Sequence, residues 1–427
     1  MESLCQINIL PAFSEKIAIV FGVDSKYISY LSVALESFKR NCKTDTYDII
    51  IMYLDLRDEQ KTIIQQTYSS EKIRIRFIDL TETIKNYQEL QYTNAYLTSA
   101  MYIRFFIPQI LSNYQKVIYC DCDVVFLKDI SQLYHLTLEN ALLGVVKDTE
   151  NLRQHYINSN FVSYCQNTLH LNNSLNYFQS GVLVFNIKQC LEEKLLEQCL
   201  EALSKISKPI YPDQDILNIA AENKVKFLQG YWNVENHILA FNRNNLANLS
   251  SRDLKEYEDA LTNVAILHYS GDRKPWNLPT IPNATIWWDY ARKTPFYEEI
   301  IYHNICKSIE SHCPKNNVGA VARVKNTLSY RLGNAIVKAK SPIKICFLPF
   351  LFLWIIIQYK QDIKIYESLC KINSFFIKPP LYTYIDYEEC LKTKQHLSYQ
   401  LGNLLVKSPF SFPFKFFQIY KKFKANQ

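Results

Sequence analysis

The stretch KIAIVFGVDSKYISYLSVALESFKRNCKTDTYDIIIMYL, Lys16 to Leu54, decides the fold of this chain. Lys16 to Gly22 is an apolar run of strand length closed by a glycine, the pattern of a strand buried on both faces. After Asp24, the residues Tyr27, Tyr30, Leu31, Ala34, Leu35 and Phe38 fall at helical spacing, and Tyr47 to Leu54 is a second apolar strand. The alternation continues outward from this βα unit. Asp58 to Tyr68 reads as a polar helix, Lys72 to Ile78 alternates with period two as a half-buried strand does, Thr98 to Leu111 reads as a helix, and Lys116 to Cys120 as a strand. Ala141 to Lys147, Gly181 to Ile187 and Val264 to Tyr269 read as further short buried strands. Between them a helix begins at Asp213 and runs to Asn223, with Pro212 at its first turn. Repeated βα units predict an α/β domain with a mainly parallel sheet and helices on both faces, spanning residues 1–300.

At 427 residues the chain is long enough for two or three domains. A charged fraction of 21% with 14% aromatics excludes a disordered chain. Charge is distributed unevenly: residues 316–427 hold 17 Lys+Arg against 5 Asp+Glu, whereas the remainder holds 31 against 36. An acidic front suits a metal-dependent catalytic domain, and a basic, aromatic-rich tail suits a surface dense in negative charge, nucleic acid or anionic lipid. Residues 301–427 therefore read as a second, basic and mainly helical region. It contains a duplicated LSYxLGN element, Leu328–Lys338 (LSYRLGNAIVK) and Leu397–Lys407 (LSYQLGNLLVK). Its longest apolar run, Ile345 to Ile357, contains Pro349 and falls short of the roughly 20 residues a spanning helix needs, so it reads as a buried or an interfacial helix. Glu2 and the broken apolar pattern of Met1 to Phe13 do not read as a secretion signal. The 12 cysteines, scattered from Cys5 to Cys390, read as thiols rather than a disulfide framework.

Three clusters carry chemistry. Tyr119-Cys-Asp-Cys-Asp-Val-Val125 places Asp121 and Asp123 directly after an apolar strand, where an open α/β sheet binds ligands. Two carboxylates so close repel each other unless a cation joins them, and hard oxygen donors select Mg(II) or Mn(II). The other reading of these acids is a solvated loop that caps the next helix. Zinc would need four ligands, and Cys120 and Cys122 have no matching second pair. Leu267-His-Tyr-Ser-Gly-Asp-Arg-Lys-Pro-Trp276 brings a His at a strand end, a Gly that permits close backbone approach, and Lys274, a set able to grip a metal-bound diphosphate. Tyr211-Pro-Asp-Gln-Asp-Ile-Leu-Asn218 crowds polar groups at a helix start, where they also make ordinary capping residues.

The succession FGVD, TSAMYIRFFIP, YCDCDVV, YFQSGVLVFNI, YPDQDILN and LHYSGDRKPW, over about residues 16–290, resembles glycosyltransferase family 8, which includes bacterial lipopolysaccharide galactosyl- and glucosyltransferases and glycogenin. The resemblance implies a Rossmann-like GT-A fold, a UDP-sugar donor, dependence on Mn(II) with Mg(II) as the alternative, and retention of anomeric configuration. It places Asp121, Asp123 and His268 as metal ligands, and Lys274 and the backbone of Gly271 at the diphosphate. Asp24 would face the uridine end, with Cys122 also on the donor side. Arg104, Asp148, Gln179, Asp213 and Gln214 would surround the donor sugar. Gln214 stands where the family places a group beneath the anomeric carbon. Because an amide is a poor nucleophile, its implied role is to stabilise positive charge, with Asp213 and Lys274 as the other catalytic groups. Members often carry Asn where this chain has Lys26 and Gln179, so their sugar preference does not carry over.

The expectation is thus a retaining hexosyltransferase using UDP-galactose or UDP-glucose, with a lipid-linked oligosaccharide acceptor of lipopolysaccharide or a related surface glycan. It would be cytoplasmic and peripheral on the inner face of the cell membrane, with an anionic membrane surface and not nucleic acid as its second partner. The rival expectations are a catalytically silent nucleotide-sugar binding protein and a protein-acceptor glucosyltransferase of the glycogenin type.

Overall fold

The computed structural model describes residues 9–13, 17–87, 90, 98–206, 208–240, 246, 248–312, 319–372, 378, 380–384 and 386–425. Lys16, Cys5 and the reading of residues 1–8 lie outside these. The chain divides into two compact units, Met1–Ile305 and Cys306–Gln427.

In the first unit the strands β1 (Ile17–Asp24), β2 (Tyr47–Leu54), β3 (Ile73–Asp79), β4 (Lys116–Cys120), β6 (Leu143–Lys147), β7 (Phe178–Asn186) and β8 (Val225–Phe227) form one sheet in the order β3-β2-β1-β4-β7-β6-β8. Neighbours pair in parallel except around β7, which runs antiparallel to both β4 and β6. Side chains alternate along β1 and β2 between two cores: Ala18, Val20, Ile50 and Met52 enter one, and Ile17, Ile19, Phe21, Ile49 and Ile51 the other. Helices α1 (Ile28–Asn41) and α2 (Asp58–Tyr68) connect the first three strands. A small second sheet, β5 (Val124–Phe126), β9 (Val234–Glu235) and β10 (Ile266–His268), has β10 in its centre.

Two elements depart from the sequence reading. Thr98 to Leu111 is not one α-helix: Ser99–Phe106 is a 3₁₀ helix followed by the short helix α3 (Ile107–Ile110). Ala100 to Phe106 are all buried, so packing on every side, rather than an apolar stripe, sets the path. The strand expected from Gly181 begins at Phe178, because Phe178 and the polar Gln179 still pair with β6 beyond a register shift.

The second unit is helical, and the apolar run is not buried within it. Ile345 to Ile357 ends one short helix and begins a long one, with Phe350 72% and Trp354 59% exposed. The two repeat copies are helices in contact: α6 (Leu328–Lys338) and α9 (Leu397–Lys407) cross at Gly333 and Gly402. A Cβ on Gly333 would strike the backbone carbonyl of Ser398, and a Cβ on Gly402 that of Ser329, the equivalent residue of the other copy. Ser-x-x-x-Gly is thus used reciprocally to bring two backbones together. Either Gly333→Ala or Gly402→Ala should therefore destabilise this unit by about 3 kcal/mol, since backbone rather than a movable side chain must yield. Urea titration followed by helical circular dichroism reads this, and a loss under 0.5 kcal/mol would contradict so tight a crossing. Among the described residues, no helix is long and apolar enough to cross a membrane.

Candidate active site

The crevice lies at the carboxyl ends of β1 and β4, where such sheets bind ligands. β4 delivers Asp121 and Asp123 in the turn before β5, β10 delivers His268, and Asp148 follows β6. Because β7 runs backwards, it brings its beginning, Gln179 to Gly181, to the same edge. Helix α4 (Pro212–Ala220) presents Asp213 and Gln214 from its first turn, where Pro212 has no N–H to leave unpaired and the acidic residues face the positive end of the helix dipole.

Asp121, Asp123 and His268 offer ligand atoms that all lie within 4.8 Å of one another. His268 Nε2 is 3.2 Å from Asp123 Oδ1 and 3.8 Å from Asp121 Oδ2. Its Nδ1 is 2.9 Å from Asn233 Oδ1, while Asn233 donates its amide N–H to Gln179 Oε1 at 2.6 Å, which fixes the Asn233 carbonyl as an acceptor. His268 therefore donates from Nδ1 and aims Nε2 at two carboxylates. Three electron-rich groups converging in this way fit a divalent cation. Gly181 leaves them room, since a Cβ there would collide with the His268 ring and with Asp121. Asp121 Oδ1 is already occupied by Arg104 Nη2 at 2.8 Å and by the Tyr119 hydroxyl at 2.7 Å, leaving Oδ2 on the cation side. Lys274, only 5% exposed, donates to Asp123 Oδ2 and to the Tyr269 carbonyl. Burial opposes the Asp123 charge, but Lys274 and then His268 outweigh it and hold this carboxyl below the usual carboxylate range.

Next to this cluster is a pocket lined by Asp148, Gln179, Asp213, Gln214, Glu235 and Gly271, among others. Gln214 is held at both ends of its amide, donating to Asp148 Oδ2 at 2.8 Å and accepting from the Ser180 N–H at 3.0 Å. Asp213 accepts from Ser180 Oγ and pairs with Arg104 Nη1, each at 3.0 Å. Burial pushes the Asp148 carboxyl up to about 6, and it raises Asp213 as well, against the charge of Arg104. An adjoining cavity on the β1 side is lined by Asp24, Tyr27 and Cys122. Asp24 Oδ1 there accepts from the Lys26 and Tyr27 N–H groups, and the Cys122 thiol contacts the Gly22 carbonyl at 3.1 Å.

A family model described as glycosyl transferase family 8 matches residues 18–279. The chain belongs to glycosyl transferase family 8. A second model, described as a domain of unknown function, matches residues 293–426. This family 8 chain is 30% identical over 267 residues, 62% of its length, to a lipopolysaccharide 1,2-glucosyltransferase of Escherichia coli, of which 74% is covered. It is 25% identical over 276 residues to a lipopolysaccharide 1,3-galactosyltransferase of Salmonella typhimurium, covering 62% of this chain and 74% of that one. Among solved structures, the bifunctional glycosyltransferase WbbM superposes with a TM-score of 0.60 at 27% identity, over 69% of this chain and 53% of that one. The galactosyltransferase LgtC, solved with donor and acceptor sugar analogues, superposes at 0.56 and 22% identity, over 65% of this chain and 96% of that one. The catalytic unit of this family 8 protein thus has the GT-A fold.

All the residues that the sequence singled out lie along this one crevice, but they stand in different ranks. Arg104 is a buttress in the wall. Besides its two carboxylates it donates to the carbonyls of Ser180 at 2.6 Å and Met101 at 3.0 Å. The Gln179 amide oxygen faces inward, onto Asn233 and the Gly181 N–H. Sequence reasoning missed Asn233, Glu235, His237 and Ser270. Glu235 accepts from the Thr149 N–H at 3.2 Å and Ser270 Oγ at 3.3 Å, and Ser270 Oγ lies 2.9 Å from His237 Nδ1. Asn233, Glu235 and His237 sit in or beside a two-residue strand, where no periodicity marks a side chain as pocket-facing and the run Trp232-Asn-Val-Glu-Asn-His237 is the signal, while Ser270 lies within the Leu267–Trp276 cluster.

Asp215, one residue beyond Gln214, is fully buried and accepts from the Tyr164 and Tyr177 hydroxyls and the Tyr211 N–H. Burial exceeds the effect of these bonds and pushes its carboxyl from 3.8 up to about 6. The folded state therefore binds a proton more tightly than the unfolded state. This contribution to stability is complete below pH 3.8 and is lost as pH rises through about 6. Subtracting the Asp215→Asn stability from that of wild type should give a difference that declines by about 3 kcal/mol over this interval. Denaturant titrations at a series of pH values measure it, and a flat difference would show that folding leaves the proton affinity of this carboxyl unchanged.

Proposed function

We propose that this chain transfers galactose or glucose from UDP, with retention of configuration, to a lipid-linked saccharide acceptor at the cytoplasmic face of a membrane, using Mn(II) or Mg(II). The observation that carries the reading is the adjacency, in one crevice, of a cation-type cluster and a sugar-sized pocket of fixed amide and carboxylate groups. The names of the lipopolysaccharide transferases of Escherichia coli and Salmonella typhimurium support the acceptor class.

Asp121, Asp123 and His268 would hold the cation, which when bound supplies positive charge against the diphosphate of the leaving UDP. Lys274 adds a buried ammonium at the same place, and the Gly271 backbone, with φ of 79°, lets the chain pass close to the diphosphate. Asp148 and Asp213 accept sugar hydroxyls, and a carboxylate that loses its hydroxyl partner in the wrong epimer is left buried and unpaired, which gives selectivity. Gln214, locked by Asp148 and Ser180, directs an amide dipole toward the reacting carbon and stabilises charge there. Exposed aromatic residues among the lysines of the second unit would bring the enzyme to its lipid-borne acceptor.

Incubation of the purified chain with Mn(II) and each of several UDP-sugars, followed by assay of free hexose released by slow donor hydrolysis, tests this reading. Release from UDP-galactose or UDP-glucose, stopped by EDTA, is expected. Tight UDP-sugar binding with no release under any metal would leave a binding protein instead.

A further inference from the structure

The duplication in the second unit extends beyond the LSYxLGN element. Before it, α5 (Ala320–Lys325) packs against α8 (Tyr387–Gln395), and Asp386 at the start of α8 accepts from the Ala320 and Val321 N–H groups at 2.8 and 3.0 Å. Buried positions correspond between copies: Val324 with Thr393, and Leu332 with Leu401. After it, each copy continues with Ser-Pro, Ser341-Pro342 and Ser408-Pro409, and then with a helix that has a proline and a phenylalanine in its first turn, Pro349-Phe350 and Pro413-Phe414. These helices are α7 (Leu348–Ile372) and α10 (Phe412–Ala425). α7 packs on α6, and α10 packs on α9, so each copy carries its own aromatic helix and the copies join at the two glycines.

On both helices the large apolar residues stand in solvent at helical spacing. Phe347, Phe350, Trp354 and Ile357 do so at α7, and Phe410, Phe414 and Phe417 at α10, where Phe414 is 81% exposed. Lys344, Lys360 and Lys364 flank the first face, and Lys415, Lys421, Lys422 and Lys424 the second. A second copy of this chain would bring the same lysines against them and repel. An anionic lipid surface meets both properties at once, taking the rings into the acyl boundary and the ammonium groups among its headgroups.

We infer that residues 320–425 form a duplicated lipid-docking module whose two aromatic helices, α7 and α10, enter the same anionic bilayer surface, each copy supplying one half of a two-point attachment. The inference rests on the membrane reading proposed above and adds that both copies bear the contact. Neither helix is a spanning anchor, and the reciprocal glycine crossing holds the two at a fixed separation. Attachment at one point then presents the other helix to the same surface at high effective concentration.

The full-length chain, floated with vesicles of phosphatidylglycerol and phosphatidylcholine, provides the test. Phe350→Ser with Trp354→Ser removes one contact, and Phe414→Ser with Phe417→Ser removes the other; all four residues are exposed, so the fold has no need of them. Each pair is expected to lower vesicle partitioning about 100-fold, because losing either contact ends the two-point attachment. The four together should leave only a weak association that salt abolishes. Hydrogen exchange of the wild-type chain, which needs no variant, should slow in both 348–372 and 412–425 when vesicles are added. If one pair abolishes binding while the other changes nothing, or if only one helix gains protection, the two-point inference fails and membrane docking stands. If the wild-type chain does not float at all, membrane docking itself fails. If it instead dimerises in sedimentation and the aromatic variants do not, the occupant is a second copy and not lipid.

Discussion

Asp123→Asn is expected to reduce metal-dependent release of hexose from UDP-hexose by 100 to 1,000-fold or more, as loss of one preorganised electrostatic contact commonly does. Asp123 is 7% exposed and stands between His268 and Lys274, so the substitution removes an anion without opening space. An amide there keeps the shape but loses the charge that favours a cation. It also leaves the Lys274 ammonium buried without its counter-charge. Mn(II) titration followed by electron paramagnetic resonance should show weakened binding in the same variant, in parallel with the loss of turnover. Turnover at the wild-type rate, or EDTA-treated wild type as active as the Mn(II) form, would remove Asp123 from the site's chemistry.

Lys274→Ala should cost a comparable factor in rate but by a different route. The lysine is not among the three groups placed to bind a cation, and in the proposed reaction its charge answers the negative charge that the departing diphosphate gains. Mn(II) should therefore still bind while hexose release slows 100 to 1,000-fold. Lys274→Arg should restore little, because a planar guanidinium cannot take the place of a compact ammonium between Asp123 and the Tyr269 carbonyl. Retention of metal separates the two variants. If Lys274→Ala loses Mn(II) as Asp123→Asn does, the lysine serves only as the counter-ion that keeps Asp123 in place.

The sequence disclosed Asp121 and Asp123 because two acids directly after an apolar strand contrast sharply with their surroundings, and His268 and Lys274 because the strand before them is equally plain. Hydrophobic runs carry no arrow, however, and the buried strand around Val182 to Phe185 reads the same in either direction. That β7 is reversed became legible only in its pairing with β4 and β6. Nor does residue type reveal rank within a site. Arg104 has the chemistry to grip a sugar, yet carbonyls and carboxylates of the wall engage it, a matter of tertiary packing. Asn233 and Glu235 were hidden for the opposite reason, being ordinary polar residues in a short irregular segment whose importance lies in what they touch.

The reversal of β7 determines how this enzyme can be varied. In a parallel βα unit, the connecting chain leaves at one edge of the sheet and returns at the other, so only one of its ends borders the ligand. Here the excursion from Asp148 to Tyr177 leaves and returns at the crevice edge, and its two ends are joined by a hydrogen bond of 3.1 Å from the Asp148 N–H to the Tyr177 carbonyl. It is a loop closed at its base, carrying helix Thr149–Ile157 and helix Ser159–Asn167 as a cassette clipped to the rim of the pocket beside the Asp-Asp-His cluster. Its exchange between relatives would also have to keep the Tyr164 hydroxyl on Asp215 and the Thr149 N–H on Glu235, which tie the cassette to the pocket floor beyond its seam. At the opposite end of the sheet β7 passes straight into the helix Ile187–Glu192, capped by Asn186 and with Ile187 buried, so variation in length belongs to the crevice end of this strand and not to its far end.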